Sequence, residues 1–221
     1  LPDVTINANI QEAEYKNWNK EWEEAGFERI NINDSITIYD ARHDDGNGIA
    51  SGISIGIETK QAFGTGTHET TRMIVSTLLN IDLKGKRVLD CGCGTGILGI
   101  AASKLGASEV VGYDIDEWSS ENAIHNAELN GVGNMKVMLG DASVLKSVEG
   151  KFDVVLANIN RNILLADMPA FVSVMADDSL LILSGFYASD VDLLIEKASS
   201  LGLSKIDSKS DSEWTCLVLK K

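Results

Sequence analysis

The chain has 221 residues, of which 44% are hydrophobic and 24% are charged, and its formal net charge is −14 at pH 7. This length suits one large domain, or one domain with an appendage, and the composition is that of an ordinary globular protein. The acidic balance disfavours direct binding to a polyanion such as nucleic acid and permits a basic partner. Residues 1–60 contain 12 acidic and 5 basic residues, so much of the excess negative charge lies there.

Neither a membrane span nor a secretory leader is evident in the sequence. No apolar run approaches the roughly 18 residues that a span needs, and no basic-then-apolar stretch opens the chain. The three cysteines, two of them as Cys91-x-Cys93, lack the number and spacing of a disulfide framework or a metal site. We therefore expect a cytoplasmic monomer that binds no metal and no membrane.

Residues 1–60 are predicted to form a helix followed by a small β segment. In residues 11–25 the aromatic side chains fall on one face at helical spacing. Residues 28–57 are strand-like, with alternating isoleucines at positions 49, 53, 55 and 57, and residues 44–48 form a turn cluster of aspartate, asparagine and glycine.

Residues 61–71 combine two glycines, four threonines and His68 immediately before an amphipathic helix. So many hydroxyl groups and glycines exceed what a helix cap requires. They favour a loop that folds over a ligand, and a capped helix start is the alternative.

From Lys86 onward, strands and helices alternate. Such alternation predicts a Rossmann-like, doubly wound α/β domain over 61–221, with a mostly parallel sheet covered by helices on both faces. The last two strand-like stretches, 204–208 and 214–219, flank a polar turn and predict a closing antiparallel hairpin. Predicted strands lie at 87–90, 109–114, 135–139, 152–158 and 179–184, and predicted helices at 97–105, 117–130, 142–147, 161–176 and 188–201.

A glycine-rich turn follows the first of these strands. Asp90 closes the strand, Gly92, Gly94 and Gly96 form the turn, and an apolar helix begins at Ile97. Glycines permit a tight turn and close approach of a ligand, and the helix start offers N–H donors to an anionic group.

Three further polar residues end successive strands. Asp114 closes the second strand, where a carboxylate can accept hydrogen bonds from ribose hydroxyls. Asp141 closes the third strand and is placed to reach an adenine amino group, and Asn158 closes the fourth, where its carbonyl oxygen could face the reacting atom. Helix capping is the alternative for each residue alone. Ligands of such sheets bind at the carboxyl ends of strands, which favours one shared site.

Two classes of cofactor remain open on these residues. The run from Gly94 to Gly99 also matches the G-x-G-x-x-G dinucleotide pattern, so an NAD(P)-dependent oxidoreductase is an alternative. Asp90 before the turn, the threonine-rich loop and Asn158 have no evident task in hydride transfer. A non-catalytic cofactor-binding module is a third hypothesis.

Asp90–Gly96, Asp114, Asp141 and Asn158 together resemble the motifs of S-adenosylmethionine-dependent methyltransferases of Rossmann-like fold. More closely, the loop from Phe63 to Thr71, with the glycine motif and the Ala-Asn-Ile strand end, is similar to the PrmA family of ribosomal protein methyltransferases. That family trimethylates amino groups of the eleventh protein of the large ribosomal subunit. The resemblance covers about residues 11–221.

The resemblance implies S-adenosylmethionine as cofactor and a ribosomal protein as substrate. It implies cofactor contacts at Thr71, Gly92, Asp114 and Asn158, with Asn158 also orienting the acceptor amine. The family has an amino-terminal substrate-recognition domain joined by a helical linker. Residues 11–25 resemble that linker, and we expect that the recognition domain is absent from this chain. The other expected contacts are Phe63, Thr67, Asp90, Gly94, Gly96 and Asp141.

The sequence after Asn158 bears on the acceptor. Methyltransferases of planar nitrogens resemble one another in an Asn/Asp-Pro-Pro-aromatic run, whereas this chain continues Ile159-Asn160-Arg161. The absence of proline and of an aromatic ring favours a tetrahedral amine, on a lysine side chain or an amino terminus. His68 is a candidate general base, and a structural role at the helix start is the more common alternative for such a histidine.

Overall fold

The computed structural model describes residues 26–49, 52–59 and 64–221. The predicted helix at 11–25 lies outside the described residues, as does Phe63. Among the described helices, none is long and apolar enough to cross a membrane.

In chain order the elements are β1 (Ile30–Ile32), β2 (Ile36–Asp40), β3 (Ile53–Ile57), α1 (Glu69–Leu78), β4 (Arg87–Cys91), α2 (Ile97–Lys104), β5 (Glu109–Asp114), α3 (Glu117–Leu129), β6 (Met135–Leu139), a 3₁₀ turn (Ala142–Ser147), β7 (Phe152–Asn158), α4 (Arg161–Val174), β8 (Met175–Tyr187), a second 3₁₀ turn (Ala188–Asp190), α5 (Val191–Ser200), β9 (Ser204–Asp211) and β10 (Trp214–Lys220).

The main sheet has seven strands in the order β6-β5-β4-β7-β8-β10-β9. Strands β4 to β8 pair in parallel, and β10 pairs antiparallel with both β8 and β9. The chain winds outward from β4 in one direction and from β7 in the other. The carboxyl ends of β4 and β7 therefore meet at the topological switch point, where ligands of doubly wound sheets bind. The predicted doubly wound fold and its closing hairpin are confirmed.

Alternate residues of the central strands pack into two separate cores. On β4, Val88 joins a core with α1, α2 and the small sheet, whereas Leu89 joins a core with α4 and α5. Both side chains are fully buried. A strand buried on both faces needs a continuous apolar sequence, and this explains why β4, β5 and β7 show no polar alternation.

Strands β1, β2 and β3 form a separate three-stranded sheet. β1 pairs antiparallel with β2, and β2 pairs in parallel with β3, with Ile36 opposite Ile53. The sheet buries Ile38 and Ile55 against α1 and α2. The predicted β segment is present, and the isoleucine at position 49 lies outside its strands.

Several predicted boundaries were wrong. β8 extends from Met175 to Tyr187, beyond the predicted 179–184, because antiparallel pairing with β10 lengthens it at one end and Met175 pairs with Phe152 at the other. The helix predicted over 161–176 accordingly ends at Val174, and the one predicted over 188–201 is a short 3₁₀ turn followed by α5.

Candidate active site

The glycine-rich turn links the end of β4 to α2 at the switch point. Gly92, Gly94 and Gly96 have φ values of +65°, +53° and +80°, which L-residues with a side chain rarely adopt. Gly96 is the N-cap of α2 and contributes no side-chain hydrogen bond to the helix start. In this turn Gly92 is half-buried and Gly94 and Gly96 are buried, and the turn lies at the positive end of a helix dipole, an arrangement that suits a small anionic group.

Asp114 joins the end of β5 to this turn. Its Oδ2 accepts a hydrogen bond from the N–H of Gly94 at 2.9 Å, and its Oδ1 accepts one from the N–H of Asp116 at 3.0 Å. A carboxylate has about four acceptor positions, so hydroxyl groups of a ribose can still be bound. Ile115, which the sequence analysis missed, is 72% exposed beside this carboxylate. An isoleucine between two aspartates at a strand end was the available signal for an apolar ligand surface.

Asp90 lies beneath the turn, with only 1% of its surface exposed. Its Oδ2 accepts a hydrogen bond from the N–H of Gly99 at 2.9 Å, and Oδ1 has no partner in the described part of the chain. Burial raises the pKa of this carboxyl to about 7, and the nearby Asp114 carboxylate adds to the increase. Asp90 thus supports the start of α2, and its contact with a cofactor stays a prediction.

The cysteines of the turn are packing residues. Cys91 and Cys93 are both buried, and burial raises the pKa of each thiol well above its usual value. Such thiols stay protonated at neutral pH and are poor ligands and nucleophiles. Within the described residues, no group of three or more histidine, cysteine, aspartate or glutamate side chains is placed to hold a metal ion.

Asn158 and Thr71, distant in sequence, meet at the carboxyl end of β7. The Asn158 Nδ2 donates to Thr71 Oγ1 at 3.4 Å. Thr71 lies in the first turn of α1 and is 2% exposed. The Asn158 amide group is thereby oriented with its amino side toward α1. Its Oδ1 remains as the acceptor that can face a ligand at the switch point.

Ile159 packs the end of β7 against the glycine turn. A Cβ atom on Gly92 would lie 2.6 Å from Ile159 Cγ2, and one on Gly185 of β8 would lie 2.6 Å from the Ile159 carbonyl oxygen. Gly185 has a φ of +91°. Gly185 was not among the predicted site residues, and a glycine near the end of a strand is the sequence signal for it. These two close approaches fix the position of Asn158 relative to the turn.

The threonine-rich loop touches the glycine turn through Thr95. The Thr95 hydroxyl donates to the Gly64 carbonyl oxygen at 2.6 Å, and Thr95 is fully buried. Thr67 makes its described contacts within the loop region: its hydroxyl lies 2.6 Å from that of Thr65, and its carbonyl oxygen accepts from the Arg72 guanidinium. A direct cofactor contact of Thr67 stays a prediction.

His68 is the N-cap of α1. Its Nδ1 accepts a hydrogen bond from the N–H of Thr70 at 3.3 Å and lies 2.9 Å from the hydroxyl of the same residue. Both contacts engage the one ring nitrogen in holding the helix start. This capping geometry fits the structural alternative for His68.

An aromatic cluster flanks the same end of the sheet. Trp214 contacts the His68 ring edge-on, with 4.8 Å between centroids, and the Tyr187 ring at 4.6 Å. Tyr187 is 48% exposed. Tyr187 and Trp214 were not among the predicted site residues, because each lies in a strand whose pairing only the tertiary structure reveals.

Asp141 and Asn160 both act as helix caps. Asp141 Oδ1 accepts from the N–H of Ser143 at 2.9 Å, and hydrogen bonds from the side chain and the N–H of Ser143 lower the pKa of the carboxyl. Asn160 Oδ1 accepts from the N–H groups of Asn162 and Ile163 at the start of α4. Capping explains both side chains, and the adenine contact of Asp141 stays a prediction.

Comparison with known proteins was made across the whole chain. The family model described as ribosomal protein L11 methyltransferase (PrmA) matches residues 2–221. A protein of Phocaeicola vulgatus named ribosomal protein L11 methyltransferase is 47% identical over 217 residues, which are 98% of this chain and 76% of that protein. A protein of the same name from Bacteroides fragilis is 44% identical over the same shares of the two chains.

A solved structure agrees with these matches. The crystal structure of ribosomal protein L11 methylase from Lactobacillus delbrueckii subsp. bulgaricus has a TM-score of 0.80 and 30% sequence identity. The similarity covers 87% of this chain and 98% of that one. These comparisons confirm an S-adenosylmethionine-dependent protein methyltransferase and give no support to the oxidoreductase alternative. The chain belongs to the ribosomal protein L11 methyltransferase (PrmA) family.

Proposed function

We propose that this chain methylates amino groups of ribosomal protein L11, on lysine side chains, the amino terminus or both. The observation that carries the proposal is the Asn158–Thr71 contact at the switch point, which orients the Asn158 amide group at the carboxyl end of β7. The relatives that match most of this chain are named for methylation of that protein, and this supports the choice of substrate.

The residues at the switch point fit S-adenosylmethionine. The turn at Gly92–Gly96 suits the carboxylate of its methionine part, Asp114 suits the ribose hydroxyls, and the exposed Ile115 suits an adenine face. When bound, this cofactor supplies a methyl group activated by a sulfonium sulfur. The chain's own residues must then orient the amine and exclude water from it.

Asn158 is the residue that we assign to the acceptor. With its Nδ2 directed at Thr71, its Oδ1 accepts an N–H of the amine and points the nitrogen lone pair toward the methyl group. The amine must be neutral to react, and partial desolvation lowers the pKa of its ammonium form. Because His68 caps α1 and Asp90 is buried beneath the turn, the amine proton is best released to solvent.

The aromatic cluster of His68, Tyr187 and Trp214 is proposed as one wall of the acceptor entrance. Aromatic faces attract ammonium groups. The attraction persists as methyl groups replace hydrogens, because the amine can carry a positive charge at each stage of methylation. Such a wall suits an amine that is methylated more than once. The ring contacts among the three residues keep this wall in place.

Transfer of a labelled methyl group from S-adenosylmethionine to purified L11 tests the proposal. We expect incorporation into L11 with the wild-type chain and a roughly 100-fold lower kcat with Asn158→Ala, because acceptor orientation is lost. Asn160→Ala is the matched control: it removes an amide two residues away that only caps α4. It should cost stability of about 1 kcal/mol and leave kcat within a few-fold.

Other outcomes separate the alternatives. Binding of S-adenosylmethionine without any methyl transfer, by this chain and by one extended to the length of its relatives, would identify a non-catalytic module. Equal activity of Asn158→Ala and wild type would refute the role of Asn158. A longer chain is informative here because the present one covers 76% of its relatives.

A further inference from the structure

Helix α3 and its C-cap residue, Asn130, carry a row of asparagines that binds the edge of β3. Asn130 exchanges two hydrogen bonds with the backbone of Gly56, through Oδ1 at 3.0 Å and Nδ2 at 2.7 Å. Asn126 does the same with Glu58, through Oδ1 at 2.9 Å and Nδ2 at 3.1 Å. Each side-chain amide thus takes the place of a peptide group in a neighbouring strand.

The spacing of these residues explains why the contact works. Four residues of helix rise about 6 Å, and two residues of strand rise about 6.6 Å. The spacing between Asn126 and Asn130 therefore matches the spacing between Glu58 and Gly56. The backbone groups of these two residues point to the same edge of β3. Asn122 extends the row by donating to the Glu58 carbonyl oxygen at 3.0 Å.

Asn126 makes one contact that Asn130 lacks. Its Nδ2 also donates to the main-chain carbonyl oxygen of Thr95 at 2.9 Å. Asn126 is fully buried, and Thr95 lies between Gly94 and Gly96 in the glycine turn. The Asn126 amide group therefore joins the end of β3 to the main chain of the glycine turn.

Thr95 is held from a second direction by the Gly64 carbonyl oxygen, which accepts from its hydroxyl at 2.6 Å. The flanking glycines give the turn little intrinsic stiffness, since glycine populates many backbone conformations. A turn that must present its N–H groups in one orientation needs such external contacts, because disorder in the unbound turn would reduce affinity.

We propose that Asn126 is a positioning residue that fixes the glycine turn from behind, through Thr95, and thereby sets the affinity for S-adenosylmethionine. The inference rests on the proposed cofactor site. It adds to that site a residue that acts from outside the ligand contacts and lies outside the motifs named above. Asn126 and the threonine-rich loop both hold the turn by hydrogen bonds to Thr95.

Asn126→Asp and Asn130→Asp form a matched pair for the test. Each variant keeps an oxygen that accepts from the backbone of β3 and replaces an amino group by an oxygen that faces carbonyl oxygens. Asn126→Asp should lose more stability than Asn130→Asp, because Asn126 is fully buried and Asn130 is half-buried, and Asn126→Asp alone loses the bond to Thr95. Calorimetric titration with S-adenosylhomocysteine should give a Kd at least 10-fold weaker for Asn126→Asp and within 3-fold of wild type for Asn130→Asp.

Kinetics and the local pattern of hydrogen exchange distinguish the proposed role from a general loss of stability, which would speed exchange throughout the chain. Asn126→Asp should raise KM for S-adenosylmethionine while kcat at saturation stays within a few-fold of wild type. Amides of residues 92–99 should exchange faster in Asn126→Asp than in Asn130→Asp.

Equal Kd values for Asn126→Asp and wild type, or equal weakening in both variants, would overturn the inference. Failure of the wild-type chain to bind the probe would instead overturn the proposed function. If Asn126→Asp does not fold, Asn126→Ala replaces it and Asn130→Ala becomes its control, because alanine removes the bond to Thr95 without burying a charge. Weaker binding by Asn126→Ala than by Asn130→Ala supports the inference, and wild-type affinity of Asn126→Ala contradicts it.

Discussion

Single residues at this site divide into those that face a ligand and those that hold others in place. Asp90 belongs to the second kind, although its position in the sequence suggested the first. Its carboxyl group is buried, accepts from the Gly99 N–H and has a second oxygen without a partner in the described part of the chain. A carboxyl group in such surroundings is costly to ionise, so its ionisation lowers the stability of the fold.

Asp90 should make stability depend on pH. Its pKa of about 7 in the folded chain is above its ordinary value of 3.8, so the folded state keeps a proton that the unfolded state releases between these pH values. Stability therefore falls as pH rises through this window and levels off above it. Between pH 5 and pH 8 we expect a loss of roughly 2–3 kcal/mol from this group.

Urea unfolding of Asp90→Asn at pH 5 and pH 8 checks this, because the neutral amide removes the titration. The variant should lack most of the loss seen in wild type. Asp178→Asn serves as the control, since Lys220 lowers the pKa of that exposed carboxyl and keeps it ionised throughout the window. Parallel pH dependence in wild type and Asp90→Asn would contradict the expectation.

At the level of elements, the site depends on close approaches between strand ends. The end of β7 lies against the glycine turn on one side and against β8 on the other, with Ile159 between Gly92 and Gly185. The strand ends can meet at these distances only because two glycines leave room. The same packing explains how Asn158 reaches Thr71 of α1 across the top of the sheet.

Gly185→Ala should be far more destabilising than an alanine at a glycine with similar backbone geometry. Gly185 and Gly202 have φ values of +91° and +84°, so alanine is strained at both, at a cost of about 1–2 kcal/mol. Only at Gly185 does the new Cβ meet backbone, at 2.6 Å from the Ile159 carbonyl oxygen, whereas at Gly202 nothing lies within 4 Å. We expect a loss of about 3 kcal/mol or more at Gly185.

Urea unfolding of both variants measures the difference. Gly185→Ala should also raise KM for the acceptor protein, because Ile159 adjoins Asn158, whereas Gly202→Ala should leave it unchanged. Similar losses of stability in the two variants would show that the approach of β8 to Ile159 is not a tight one.

At the scale of the whole molecule, charge and topology act separately. The net charge of −14 has no part in defining the fold, and a doubly wound sheet forms with many charge distributions. We expect the charge to affect encounter with the proposed substrate if that substrate is basic. A strongly acidic enzyme attracts a basic protein at long range, and salt screens this attraction.

Raising the salt concentration from 50 to 300 mM should lower kcat/KM for L11 several-fold and leave kcat at saturation unchanged, because salt slows encounter and not chemistry. Steady-state methyl transfer at several ionic strengths measures this. A short lysine peptide without net charge should show little dependence. If the two substrates respond alike, charge attraction does not govern the encounter.

The sequence alone determined the order of elements from β4 onward, the doubly wound class and the four strand ends that bear Asp90, Asp114, Asp141 and Asn158. It could do so because strands buried on both faces need unbroken apolar runs, and a tight turn at a ligand needs glycine. Both requirements are local and are therefore visible in a single stretch of chain.

Only the tertiary structure decided which partner each residue has. The contacts of Asn158 with Thr71, Asn126 with Thr95, and Ile159 with Gly185 join residues 87, 31 and 26 positions apart, and no local pattern specifies them. The asparagine row of α3 shows the difference clearly. Its four-residue spacing is visible in the sequence, but its meaning depends on a strand edge whose rise matches it. Local chemistry fixes what a residue can do, and packing selects the group on which it acts.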